Sequence, residues 1–322
     1  MIEQSKGRDS LKILAALRDY GIYFALVAVI IVFAAVSPEF RTRENALLVL
    51  LQVSVTGIVS IGMLFTILTA GIDLSVGSLL AVAGLFSAIF AQQDSPHFNL
   101  WLAISVPILT GLLGGLLNGS IIAGAGVNAL IVTLGTLTAF RGFAVWYRVN
   151  PIYNLAPSYR LIGQSAIGPV PVPVLFLLAT AIAASIVLNL TRFGRYVYAV
   201  GGNQEAARAA GINVRLVKLC VYLISGFSVG LGALVFTSRL GAAQAISGQG
   251  LELQAIAATV VGGASLFGGK GTVSKTLVGA LIIGVLFNGL VMLNVSSPVQ
   301  QMVIGAIIIS AVYLDGILKQ KG

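Results

Sequence analysis

The sequence predicts an all-α fold, a polytopic bundle of about ten transmembrane helices in a single domain, and three observations predict it. Of 322 residues, 57% are hydrophobic and 9% charged, against roughly 25% charged in a soluble globular domain. The charges leave eight uncharged stretches of 17 to 46 residues, and a helix needs about 20 mostly apolar residues to cross the hydrocarbon core. The basic residues also fall unevenly between alternate connections, as membrane loops do.

The first stretch, Tyr20 to Pro38 (19 residues), follows about 20 polar and charged residues and lacks a small-residue cleavage site, so it reads as a true span and not a signal peptide. Lys6, Arg8, Lys12 and Arg18 ahead of it place segment 1–19 in the cytoplasm. Spans two and three are Asn45 to Ile72 (28) and Leu74 to Gln93 (20). The 46-residue gap from Ser95 to Phe140 divides at the turn signal Gly124-Ala125-Gly126-Val127-Asn128 into spans four and five. Leu161 to Thr191 (31), Leu219 to Ser238 (20) and Leu253 to Gly269 (17) give spans six to eight. The 39 residues from Thr276 to Leu314 divide at Asn294-Val295-Ser296-Ser297-Pro298 into spans nine and ten. The domain thus runs over 20–318, with a cytoplasmic loop at 191–218 and a cytoplasmic tail at 319–322.

This orientation puts thirteen of the 19 Lys and Arg on the cytoplasmic side, so the net charge of +9 is mostly positive-inside bias. The basic residues are dispersed and not interleaved with aromatics, which removes the case for nucleic acid. One cysteine, Cys220, and one histidine, His97, exclude an internal disulfide and a multi-histidine metal site. A purely structural role is disfavoured by 38 glycines and by the broken spans.

The chain repeats itself. Gly71-Ile72-Asp73-Leu74 before span three matches Gly250-Leu251-Glu252-Leu253 before span eight at an offset of 179, which also superimposes Gly84 on Gly263. Gly114-Gly115-Leu116-Leu117-Asn118-Gly119 in span four matches Gly284-Val285-Leu286-Phe287-Asn288-Gly289 in span nine at an offset of 170. Spans three and eight run oppositely, as do four and nine, so the pattern reads as an inverted repeat of five plus five helices. Asp73 and Glu252 sit at helix starts, where a carboxylate accepts backbone N–H groups and complements the dipole. A second reading stays open, in which Asp73, Ser75, Asn118, Glu252 and Asn288 line a polar translocation path, since an intramembrane ionisable group is a functional candidate. For Asn118 and Asn288, with Gly114 and Gly284, helix packing is the favoured role.

The cytoplasmic loop specifies its own short helix. Asn203 is a good N-cap, Glu205 lies in the first turn, alanines follow at 206, 207, 209 and 210, and Gly211 supplies the stop. Such a helix suits insertion into a groove on a partner, although an ordinary solvated connector has the same composition.

Glu205-Ala206-Ala207-Arg208-Ala209-Ala210-Gly211 resembles the EAA-x-x-x-G motif of bacterial ABC importer permeases. Around it, Gly194-Arg195, Ala199, Gly201 to Asn203 and Gly211-Ile212 are similar to the loop of the ribose-type sugar permeases. Leu68 to Ser78 resembles their second signature and Gly262 to Gly271 their third. The likeness covers roughly residues 20 to 318. Ala70 stands where the usual pattern has Gly or Ser ahead of Gly-Ile-Asp.

The resemblance implies a permease subunit in a bacterial cytoplasmic (inner) membrane, working as a homodimer or a closely related heterodimer. An ABC ATPase subunit would sit beneath it and an extracytoplasmic sugar-binding protein above. It implies that Asn203, Glu205, Ala206, Ala207 and Gly211 form the coupling helix, and that ATP and Mg belong to the partner ATPase, with no cofactor in this chain. Ala264 to Gly271 lacks the first Gly and the Ser/Thr of a phosphate-binding loop, in agreement. The solute expected is a monosaccharide, ribose or a similar pentose or hexose. Arg41, Arg43, Arg148, Arg160 and Arg239, on the outer side, are candidates for docking the binding protein, and surface solubility explains them equally. The competing readings are an ion-coupled secondary transporter and an ABC permease for vitamin B12, branched-chain amino acids or another small polar solute.

Overall fold

A computed structural model of the chain describes residues 20–320. Segment 1–19, with Lys6, Arg8, Lys12 and Arg18, and Lys321 lie outside the described residues, as does the side chain of Lys319.

Among the described residues the chain is a helical bundle. Six helices are long and apolar enough to cross a membrane: α2 (Arg43–Leu68), α4 (Leu100–Gly124), α5 (Ala129–Tyr147), α7 (Val172–Leu190), α10 (Val214–Leu240) and α12 (Val273–Met292). Four more apolar helices complete the set: α3 (Val76–Ala91) and α11 (Leu251–Val261), which are shorter, with α1, described over Tyr20–Val36, and α13 (Ser297–Gln320). Three short helices join them: α6 (Pro157–Gln164), α8 (Arg192–Gly202) and α9 (Gln204–Ala209). A two-stranded hairpin pairs β1 (Ala166–Ile167) with β2 (Val170–Pro171).

Helix starts follow from side-chain caps. Thr42, Asn99, Asn128, Thr191, Asn203, Asn213 and Thr272 each accept a backbone N–H from the first turn of the helix they precede, which satisfies donors that the helix itself leaves free. The turn signals at 124–128 and 294–298 fall at real breaks: α4 ends at Gly124 and Asn128 caps α5, while Asn294 takes φ 56 between α12 and α13.

Four boundaries differ from those set by charge spacing. Span five does not stop at Phe140, because Arg141 stays in α5 by donating to the carbonyls of Ala245 and Ser247. Span six does not begin at Leu161: Pro157 opens the separate helix α6, and α7 starts only after the hairpin. Spans two and eight are cut short, α2 ending at Leu68 and α11 at Val261. The glycine-rich stretches beyond them are loops, where Ala70, Gly263, Gly268, Gly269 and Gly271 have positive φ.

The core is built on α2 and α10, each two-thirds buried over its most apolar window, against 17% for α5. They cross antiparallel: Gly62 lies on Ser225 and Ser228, and Gly232 on Val59. Helix α4 packs antiparallel on α10 through a stripe of small residues, Gly111 against Gly226 and Gly230, Gly115 against Tyr222 and Gly226, and Gly119 against Leu219. With no side chains between them the backbones approach closely, which is how helices associate where lipid is as apolar as leucine. Helix α12 packs antiparallel on α2, Leu64 beside Gly271, Val53 beside Gly284 and Asn45 hydrogen-bonded to Asn288. The pairings of α4 and α3 with α10 are thus repeated by α12 and α11 with α2. The corresponding helices, α2 with α10 and α4 with α12, point in opposite directions.

Helices α3 and α11 begin inside the bundle. Asp73, two residues before the N-cap of α3, touches Ser225, which lies midway along α10. The start of α11 comes to the same level, since a Cβ on Gly77 would collide with the Glu252 carboxylate and the Gly248 carbonyl. Each of these short helices is therefore preceded by an irregular stretch, 69–75 or 241–250, of a kind tolerated at depth only when enclosed by protein or lining a cavity.

Candidate functional site

The three signature segments, far apart in sequence, meet at one end of the bundle. Helix α8 is held by Thr191 at its start and closes on Gly201, whose missing side chain leaves room for the Leu68 carbonyl at the end of α2. That carbonyl accepts the Gly269 N–H at 2.9 Å. A Cβ on Gly268 would press on the Gly201 carbonyl and on Ala70. The Tyr198 hydroxyl donates to the Gly271 carbonyl at 2.8 Å, and burial pushes its pKa up, so it remains a neutral donor. The end of α2, the end of α8 and the glycine loop after α11 therefore form one tight junction.

Helix α9 leaves this junction at Asn203, whose side chain accepts the Ala206 N–H at 2.9 Å. It stops at Gly211, at φ 81, with Gly211 N–H donating to Arg208 and Ile212 N–H to Ala207, a glycine C-terminal cap. Glu205 pairs with Arg208 at 2.9 Å, both well exposed, a contact of little energetic weight. Ala206 faces out, whereas Ala207 is 4% exposed and packs inward. Gln204 accepts from Lys218 Nζ at 2.9 Å, fixing α9 to the start of α10.

Beside α9 lies a cavity of about 660 Å³. Its wall combines Gln204 and Arg208 of α9, Arg215, Lys218 and Tyr222 of α10, the turn between α4 and α5, and Thr69 to Ile72. The Ile72 carbonyl accepts from Thr133 at 3.1 Å and from Tyr222 at 3.4 Å. Behind it Asp73, 1% exposed, accepts from Ser75 N–H (3.1 Å), Ser75 Oγ (2.6 Å) and Ser225 Oγ (2.8 Å). Asn118 Nδ2 donates to Ser75 Oγ at 2.9 Å, while its Oδ1 is buried with no partner. Asp73, Ser75 and Asn118 thus join the loop before α3 to α4 and α10, with the carboxylate facing the positive end of α3.

The other predicted residues lie elsewhere. Glu252, in the first turn of α11, accepts the Gly250 N–H at 3.2 Å and sits against the start of α3. Asn288 exchanges hydrogen bonds with Asn45 at 2.9 and 2.7 Å, a packing contact of α12 with α2. Arg41, Arg43 and Arg148 are exposed at the end of the bundle opposite α9. Arg160 and Arg239 are only half-exposed there: Arg160 belongs to α6 and lies beside Gly241, Gly163 of α6 packs on the Arg239 backbone, and the Nε of each is buried without a partner among the described residues. A second cavity, of about 360 Å³, opens at this end between α2, α10, α11, α12 and α13. Charge spacing and motifs gave no sign of it, because most of its polar groups are glutamines scattered over the sequence and the one charge, Arg239, stands alone.

Residues 45–312 match the family model described as branched-chain amino acid transport system / permease component. The chain is 42% identical over 304 residues to the ribose import permease protein of Haemophilus influenzae, covering 93% of each chain. It is 39% identical over 312 residues to the D-allose transport system permease protein of Escherichia coli, covering 94% of this chain and 92% of that one. The ribose import permease protein of Bacillus subtilis is 39% identical over 302 residues, 93% of each. The chain belongs to the ribose-type ABC permease family. No solved structure matches it. The residues that carried the family likeness in the sequence are those that converge in this permease around the end of α2, so they mark one structural unit and not three.

Proposed function

We propose that this permease is the membrane subunit of an ATP-driven importer in the bacterial cytoplasmic membrane, passing a monosaccharide delivered by an extracytoplasmic binding protein. Its relatives' names, ribose and D-allose permeases at matched length, support the solute class. The opposed directions of α2 and α10 and of α4 and α12 support a five-plus-five inverted repeat of ten spans, with α9 and both termini in the cytoplasm. Helix α9 is the coupling helix: a separate ATPase, holding ATP and Mg, would grip its outer face around Glu205 and Ala206. Exposed apolar residues on α5, such as Ile131 and Trp146, suit lipid or a second permease subunit, and Arg41, Arg43 and Arg148 suit the binding protein.

One observation carries the mechanism. The exposed helix α9 is a wall of the inner cavity and is locked through Gly201 to the end of α2. A displacement of α9 by the ATPase would therefore move the loop bearing Ile72 and Asp73, reshaping the inner mouth of the bundle without a long relay. Ala206→Arg tests this, because residue 206 is exposed and its change leaves the permease core untouched. Loss of ATPase co-purification with normal membrane insertion is expected, and intact co-purification contradicts the coupling role. The family description favours a second reading, branched-chain amino acid import. Uptake of leucine in preference to ribose by the reconstituted complex would establish it.

A further inference from the structure

We propose that the outer cavity is a contact site for the imported solute, in which Gln52, Gln254 and Arg239 hydrogen-bond a neutral, polyhydroxylated molecule as it leaves the binding protein. The inference rests on the sugar-import reading above. Four of the 12 glutamines in the chain line this one cavity, Gln52 from α2, Gln249 from the loop before α11, Gln254 from α11 and Gln300 from α13. Gln300 donates to the Val295 carbonyl at 2.8 Å. Gln52, Gln249 and Gln254 make no side-chain hydrogen bond within the described residues. Arg239 also lines the cavity, and its buried Nε has no partner.

The chemistry of this set selects among solutes. A carboxamide offers two donors and an acceptor, matching hydroxyl groups that both donate and accept. Among the described residues no Asp or Glu lines the cavity, so a cation or the ammonium group of an amino acid would enter without a counter-charge, at a desolvation cost. Phe236 and Phe287 supply apolar faces for the C–H side of a sugar ring. A volume of about 360 Å³ lies at the small end of ligand sites, as a monosaccharide requires.

The test uses proteoliposomes holding the full complex with its ATPase and a ribose-charged binding protein. Gln52→Leu with Gln254→Leu keeps side-chain volume and removes the amides. Ribose uptake is expected to fall roughly tenfold or more, the effect of losing one or two hydrogen bonds to a desolvated polar solute. A double variant that assembles with the ATPase and transports ribose as fast as the unaltered complex overturns the proposal. A second readout does not depend on transport. Cys220 is the only cysteine, so Gln254→Cys in a Cys220→Ala background gives one reactive thiol in the cavity. A membrane-impermeant maleimide applied from outside should label it, and millimolar ribose should slow the labelling. Labelling unaffected by ribose in vesicles that import ribose refutes the site alone, whereas unaltered vesicles that import no monosaccharide refute the import reading itself.

Discussion

Ala70 shows how a single side chain records the demands of a junction. It takes φ 57, a left-handed conformation that costs a residue with a Cβ about 1–2 kcal/mol, and it stands where the ribose-type pattern has Gly or Ser. Ala70→Gly relieves that strain and gives back some unfolded-state entropy, so a net stabilisation of about 0.5–1 kcal/mol is expected, read as a raised midpoint in thermal unfolding of the purified permease. Asp73 makes the complementary point. Its carboxylate accepts three hydrogen bonds from Ser75 and Ser225 in a buried site. Asp73→Ala leaves those donors unsatisfied and should cost about 1–3 kcal/mol, measured by the same unfolding experiment. The motif in sequence marked Asp73 as a helix-start carboxylate, and its link to Ser225, 152 residues away, was not legible because nothing local to either residue encodes it. Ala206 and Ala207 look identical in sequence. Only the packing of α9 on its own core separates the exposed one, fit for a partner, from the buried one.

Among the elements, the helices with uninterrupted apolar length were legible from charge spacing, and the breaks at 124–128 and 294–298 from turn residues. Charge spacing failed where charge and structure part company. Arg141 remains inside α5 because carbonyls of the loop before α11 receive it, and the 17-residue gap after Glu252 hides an 11-residue helix with a glycine loop behind it. The repeat at an offset of 170 matches α4 with α12. The offset of 179 aligns Asp73, which precedes α3, with Glu252, which is inside α11, so that pair shares a neighbourhood without sharing a position. The small-residue crossing of α4 and α10 makes a firm prediction. A side chain at Gly226 meets the Gly111 carbonyl and the Gly115 backbone, neither of which can swing away. Gly226→Leu should destabilise the bundle by about 3 kcal/mol or more, at the upper end of overpacking effects. The check is loss of monodisperse protein on size-exclusion chromatography, with Gly124→Ala, where nothing lies within 4 Å, as the tolerated control.

At the scale of the whole molecule, two cavities lie at opposite ends of the bundle: α10 lines both, while α2 lines one and the loop that follows it, Thr69 to Ile72, lines the other. Between them the helices are closely packed, with Ile61, Met63, Leu64 and Val229 almost fully buried. The inner cavity is walled by the exposed helix α9 and the outer one by four glutamines, three of them without a side-chain hydrogen bond among the described residues, an arrangement suited to a solute that enters from one side and an energy source that acts on the other. An ion-coupled transporter would instead be expected to place titratable groups along its path, and Asp73 is committed to serine donors at the base of α3. The decisive measurement is ribose uptake into proteoliposomes containing the permease, its ATPase and its binding protein. Accumulation that requires ATP hydrolysis and the binding protein, and that is lost with Ala206→Arg, is the predicted result. Accumulation driven by an ion gradient, with the ATPase absent, would contradict it.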